Sequence, residues 1–124
     1  MTKEGTEAVA FAKPGGEACG SARTRPIDLA HLARQTLGDR AVEEEVLSLF
    51  MQQAGTVCEQ ICAAVPEERH KLAHGLKGSA LGVGAFSVAE AASAVEAEPG
   101  SKPLVKTLSR RVAEAREFIA AISR

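Results

Sequence analysis

Histidine, lysine and glycine crowd into the stretch His70-Lys-Leu-Ala-His-Gly-Leu-Lys-Gly-Ser-Ala-Leu-Gly-Val-Gly84, and no other part of the chain is as well supplied for chemistry. Placed on a helix at about 100° per residue, Leu72, Leu76, Ser79, Ala80 and Val83 gather on one side, and His74 falls roughly opposite. Its neighbours at helical spacing are His70, Lys77 and Gly78. An exposed neutral imidazole is a nucleophile, and phosphoryl transfer asks little more of a protein than positioning and compensation of oxygen charge. Lys77 is placed to pair with phosphoryl oxygens, and Gly78 removes a side chain that would obstruct a docking partner. Glycine in mid-helix costs about 1 kcal/mol against alanine, so clearance outweighs local stability there. Ser79, on the inward side, is expected to bond to nearby backbone.

Other chemistries fit less well. His70 and His74 share the spacing of the His-Glu-x-x-His zinc signature, but Lys71 stands where the glutamate belongs, and a lysine repels a cation. The glycines from Gly75 to Gly84 lack the Gly-Lys-Ser/Thr order of a phosphate-binding loop and follow no predicted strand. Cys58 and Cys62 read as core fillers of an apolar helix, and His31 as a boundary histidine.

The elements that position this stretch are helical. The 124-residue length suits one domain. The apolar share owes much to alanine, with neither tyrosine nor tryptophan, which favours helix over sheet. Asp28 caps a short helix to about Leu37, with Leu29, Leu32 and Ala33 inward and Gly38 as its stop. Asp39 caps the next, reaching about Ala64, with Glu43, Glu44 and Glu45 near its positive end. Its stripe is Val46, Phe50, Ala54, Val57 and Ile61, widened by Leu47, Leu49, Met51 and Cys58. Gly55 inside it marks either a close approach by a neighbouring helix or a tolerated defect.

Pro66 opens the helix that carries His74, and Gly82 and Gly84 end it. Another helix begins at Ala85, with Ala85, Val88, Ala92 and Val95 inward, and stops before Pro99-Gly100. Ser101 caps the last, whose stripe is Leu104, Leu108, Val112, Ala115, Ile119 and Ile122. One short helix followed by four amphipathic ones with short connections predicts an all-α, antiparallel up-down-up-down four-helix bundle over residues 26–124. Residues 1 to about 25, with Gly5, Pro14-Gly-Gly16 and Gly20, read as a flexible tail without assigned function.

The segment Ala73-His-Gly-Leu-Lys-Gly-Ser-Ala80, with Gly84-Ala85 after it and a later Val95-Glu96 step, resembles the motif of histidine-containing phosphotransfer (HPt) domains. The resemblance covers about residues 27 to 123. It implies a four-helix bundle that takes a phosphoryl group on His74 from a receiver-domain aspartyl phosphate and passes it to another receiver. Lys77 and Gly78 carry over as the charge-compensating and clearance positions, and His70, Lys71 and Leu81 as part of the docking surface. The implied partners are response-regulator receiver domains or a hybrid histidine kinase. The chain then needs no cofactor of its own, because Mg²⁺ sits in the receiver. A sensor kinase box fits badly, since Gly75 and Ser79 stand where it has other residues, so neither kinase nor ATPase activity is expected. The alternative is a helical adaptor that binds a regulator or kinase without transferring phosphate.

Net charge is −1 with no arginine-rich run, so nucleic acid is not an expected partner. Three cysteines without framework spacing, and no apolar signal region beyond the Ala8-to-Ala12 patch, point to a cytoplasmic protein. Lys77 and Glu90 interrupt the most alanine-rich region, so no membrane span is expected, and a lone bundle has no evident need to dimerise.

Overall fold

The structure, a computed structural model, describes residues 25–123, and these fold as five α-helices with no strand among them. The expected tail therefore lies outside the described residues, apart from Arg25. The helices are α1 (Leu29–Thr36), α2 (Arg40–Ala63), α3 (Pro66–Val83), α4 (Phe86–Ala97) and α5 (Lys102–Ile122).

Local chemistry sets their ends. The Asp28 carboxylate accepts from the His31 backbone N–H at 3.1 Å and so caps α1. Asp39 accepts from Ala41 and Val42 at the start of α2, and Ser101 accepts from Leu104 at the start of α5. Pro66 opens α3, where its missing N–H would have had no helical partner. Leu37 takes a left-handed conformation one residue before the expected stop at Gly38.

Gly84 ends α3 with φ +86°, and its N–H closes the helix onto the carbonyls of Ala80 and Leu81. A β-carbon there would lie 2.9 Å from the Asp28 carbonyl oxygen. Glycine is thus required twice over, by the positive φ and by the close passage of the chain entering α1. The Asp28 N–H donates to the Gly84 carbonyl at 2.8 Å, and His31 Nε2 donates to the Gly82 carbonyl at 3.2 Å. The His31 ring also meets Phe86 edge to face. The boundary histidine is a latch that ties α1 to the turn between α3 and α4.

Helix α2 packs on α3 and α5, α4 packs on the same two, and α1 lies against α2 and α3. The core runs through all five helices, with Leu32, Phe50, Ile61, Leu76, Val88, Val95 and Leu108 among its buried side chains. Helix α4 supplies Val88, Ala89, Ala91, Ala92 and Val95, mostly small residues, and its contact with α3 is the most extensive between any two helices. Small side chains on that seam let the backbones approach, which brings residues of α4 within reach of α3's outer face.

Three expectations of burial need correction. Leu49 and Ile122 are exposed, and Cys62, read as a core filler, faces solvent while Cys58 is buried. The buried line of α2 is Leu47, Phe50, Ala54, Cys58 and Ile61, all within the expected stripe or its widening, and Val46, Met51 and Val57 pack partly buried against it. Ile122 lies in the last turn of α5, past the partners that cover Val105, Leu108, Val112 and Ala115. Ile27, ahead of α1, is fully buried and belongs to the core as well.

Arg69 is the one charged side chain buried among the described residues. Its guanidinium donates from Nε to the Ile61 carbonyl at 2.9 Å, from Nη2 to the Ala64 carbonyl at 2.9 Å and from Nη1 to the Pro99 carbonyl at 2.7 Å. These carbonyls lie at the C-terminal end of α2 and just beyond that of α4, where the helix dipoles are negative. One cation thus joins the ends of α2 and α4, which are not adjacent in the ring of packed helices.

Candidate functional site

His74 stands on the outer face of α3, as its phase against Leu76 and Ala80 requires, with 67% of its side chain exposed. Its Nδ1 lies 2.8 Å from Oε2 of Glu96, near the end of α4. Lys77 Nζ lies 2.9 Å from Oε1 of the same carboxylate. One carboxylate therefore gathers both candidate residues, with its two oxygens divided between them. The Glu96 side chain is only 18% exposed, so it is held against the helix seam and does not swing freely in solvent.

That geometry decides the imidazole tautomer. A carboxylate oxygen only accepts, so Nδ1 must carry the proton that it donates to Glu96. In the neutral ring the lone pair then lies on Nε2, for which no protein partner occurs among the described residues. His70 is fixed in the same way, its Nδ1 donating to the Glu96 backbone carbonyl at 2.9 Å. Consecutive residues of α3, Arg69 and His70, thereby grip the last turn of α4 and the loop after it. Glu96 is positioned by its own backbone as well as by its side-chain partners.

The remaining expected site residues share this face. Lys71 is exposed, and Leu81 leaves 46% of its surface to solvent, two turns beyond His74. A β-carbon at Gly78 would meet no atom within 4 Å, so the position is open space beside the imidazole. The same holds for Gly75 and Gly82. Among the described residues no three His, Cys, Asp or Glu side chains come together as a metal site. No described helix is long and apolar enough to cross a membrane.

No family model, curated protein or solved structure matches the chain. Function must therefore be read from the site.

Glu96 is the member that reading the sequence did not assign. Val95-Glu96 stood in the motif pattern, yet nothing in its spacing said that the carboxylate would reach across to His74, 22 residues away. Hydrogen bonds from Lys77 and then from His74 hold its carboxyl below the ordinary carboxylate range. A lowered value in the folded state means that the carboxylate's stabilising effect is present above the ordinary range and is lost as pH falls through the lowered value. Thermal melts of the protein and of Glu96→Gln over a pH series check this. The native protein is expected to be the more stable at neutral pH, and its advantage should vanish in acid. An advantage that persists after Glu96 is protonated would show that the charge is not its source.

Proposed function

We propose that this chain is a phosphorelay intermediate of the histidine-containing phosphotransfer kind, built as an up-down-up-down four-helix bundle with a short helix in front. The ring of neighbours α2, α3, α4 and α5, with turns of two to four residues between them, supports that arrangement. The observation that carries the functional reading is the His74–Glu96 hydrogen bond, which leaves Nε2 as an exposed nucleophile.

In this reading a receiver domain presents an aspartyl phosphate, with its own divalent ion, to the face around His74. The Nε2 lone pair attacks phosphorus, an N–P bond forms, and the P–O bond to the aspartyl group breaks with its electron pair leaving on the carboxylate. The ring gains a positive charge while Nδ1 keeps its proton, and the Glu96 carboxylate compensates that charge from 2.8 Å away. Lys77 has three N–H donors, one directed at Glu96, which leaves others for the phosphoryl oxygens. Transfer onward to a second receiver reverses these steps. His70, Lys71 and Leu81 border the nucleophile on the docking side.

A non-transferring adaptor has one observation in its favour, since Lys77 is already paired with Glu96. Incubation with a panel of phosphorylated, Mg²⁺-loaded receivers separates the two readings. Acid-labile, alkali-stable label on His74 supports the carrier, and binding without label supports the adaptor.

Gly78 gives a second test, because its two effects have opposite signs. Gly78→Ala, in open space on an exposed helix, is expected to stabilise the fold by about 1 kcal/mol. Gly78→Gln should keep the helix yet slow transfer by obstructing the partner. Equal transfer rates for Gly78→Gln and the native protein would rule out the clearance role.

A further inference from the structure

On the side of the bundle where α2 meets α5, Cys58 and Cys62 stand one helical turn apart, and both turn toward the same hydroxyl. Their sulfurs lie 3.5 Å and 3.9 Å from Ser109 Oγ. Cys58 is buried and Cys62 exposed, so the pair reaches from the core to the surface. A groove of about 210 Å³ opens there, lined by both thiols, Glu59, Ser109 and Arg116. Arg116 lies over Gly55, where a β-carbon would stand 2.9 Å from its Nη2. The glycine inside α2 is therefore the place where a guanidinium settles beside the two thiols.

We propose that this groove is a two-thiolate site for a soft monovalent d¹⁰ cation, of which cuprous ion is the type. Geometry disfavours a disulfide, because β-carbons one turn apart on a helix are separated by about 5–6 Å, whereas a disulfide needs about 3.5–4.5 Å. An ion inserted between the sulfurs, with bonds near the roughly 2.3 Å of zinc thiolates, spans that separation without unwinding the helix. Coordination number narrows the choice of metal. No third His, Cys, Asp or Glu joins the pair among the described residues, so the four-ligand shell that structural zinc takes is not on offer, and thiolate softness favours Cu(I).

Binding breaks two S–H bonds, releases two protons to solvent and forms two S–Cu bonds, with no change of oxidation state. The resulting complex carries one negative charge. Burial of Cys58 and, more weakly, the Glu59 carboxylate oppose the anion, while Arg116 faces it with the opposite charge and the Ser109 hydroxyl is placed to donate to a thiolate. The site uses none of the residues assigned to phosphotransfer, so it stands or falls separately.

Anaerobic titration of the reduced, full-length protein with cuprous ion, in competition with the chromogenic chelator bicinchoninate, tests the proposal. One ion per chain is expected to be withheld from the chelator. Cys62→Ser and Cys58→Ser should each abolish retention, and Arg116→Gln should weaken it about tenfold, as loss of an outer partner commonly does. Cys19→Ser should leave it unchanged. Cys62 is exposed, so its variant keeps the core intact, and an unchanged helical circular dichroism spectrum verifies that. Retention by Cys62→Ser, dependence on Cys19, or loss of every ion to the chelator from the native protein would each overturn the site.

Discussion

His74→Gln is expected to lose phosphoryl acceptance by a factor on the order of 10³ or more, since no other side chain replaces a missing nucleophile. Its stability should change by no more than about 0.5 kcal/mol, as for most surface substitutions. The two results belong together, because the imidazole is 67% exposed and its one hydrogen bond is to a carboxylate that Lys77 also holds. Glutamine retains an amide that can donate to Glu96, so the local geometry survives while the lone pair at Nε2 does not. The comparison uses label transferred from a phospho-receiver, with melting curves recorded on the same samples. A variant that still takes label at the native rate would move the acceptor to another residue and remove the basis of the proposed function.

Arg69→Met is expected to have the largest effect on stability, a loss of about 3 kcal/mol. Methionine fills much of the same volume but removes the guanidinium donors of the Ile61, Ala64 and Pro99 carbonyls, of which Ile61 keeps the longer bond from the Ala64 N–H at 3.3 Å. Those carbonyls close the end of α2 and the loop after α4, so the damage should spread to the Glu96 turn. A loss of that size lowers the midpoint of thermal unfolding by roughly 15 °C in a domain of this length. Arg69→Lys should recover only part of it, because an ammonium cannot place three donors in the guanidinium's planar fork. Thermal melts of both variants decide the matter, and an unchanged midpoint for Arg69→Met would show that water satisfies the three carbonyls.

Arg69 also illustrates what is hidden in a sequence of this kind. Between Glu68 and His70 on a polar helix start, an arginine looks like one more solvated charge, and only the convergence of two helix ends makes it a buried clamp. Leu49 shows the converse. Its type placed it with the widened stripe of α2, but the twist and seating of that helix against α3 and α5 put Leu47 and Cys58 inside and left Leu49 in water. Cys62 is a second case, for it faces solvent although it stands only one turn past the buried Cys58.

Contacts between residues close along the chain set the helices and the outward placement of His74. Capping by Asp28, Asp39 and Ser101, the proline start at Pro66 and the glycine stop at Gly84 are contacts among near neighbours along the chain, so a short stretch of sequence carries their signal. The phase of His74 against Leu76 and Ala80 is likewise a property of one helix. Packing between helices sets which carboxylate meets His74 and Lys77, which carbonyls Arg69 binds and which thiols share Ser109. Each of those pairings crosses between helices, and its geometry depends on how closely two backbones approach and on the rotation of each about its axis. Those quantities come from packing the whole core at once, so no spacing within a single stretch encodes them.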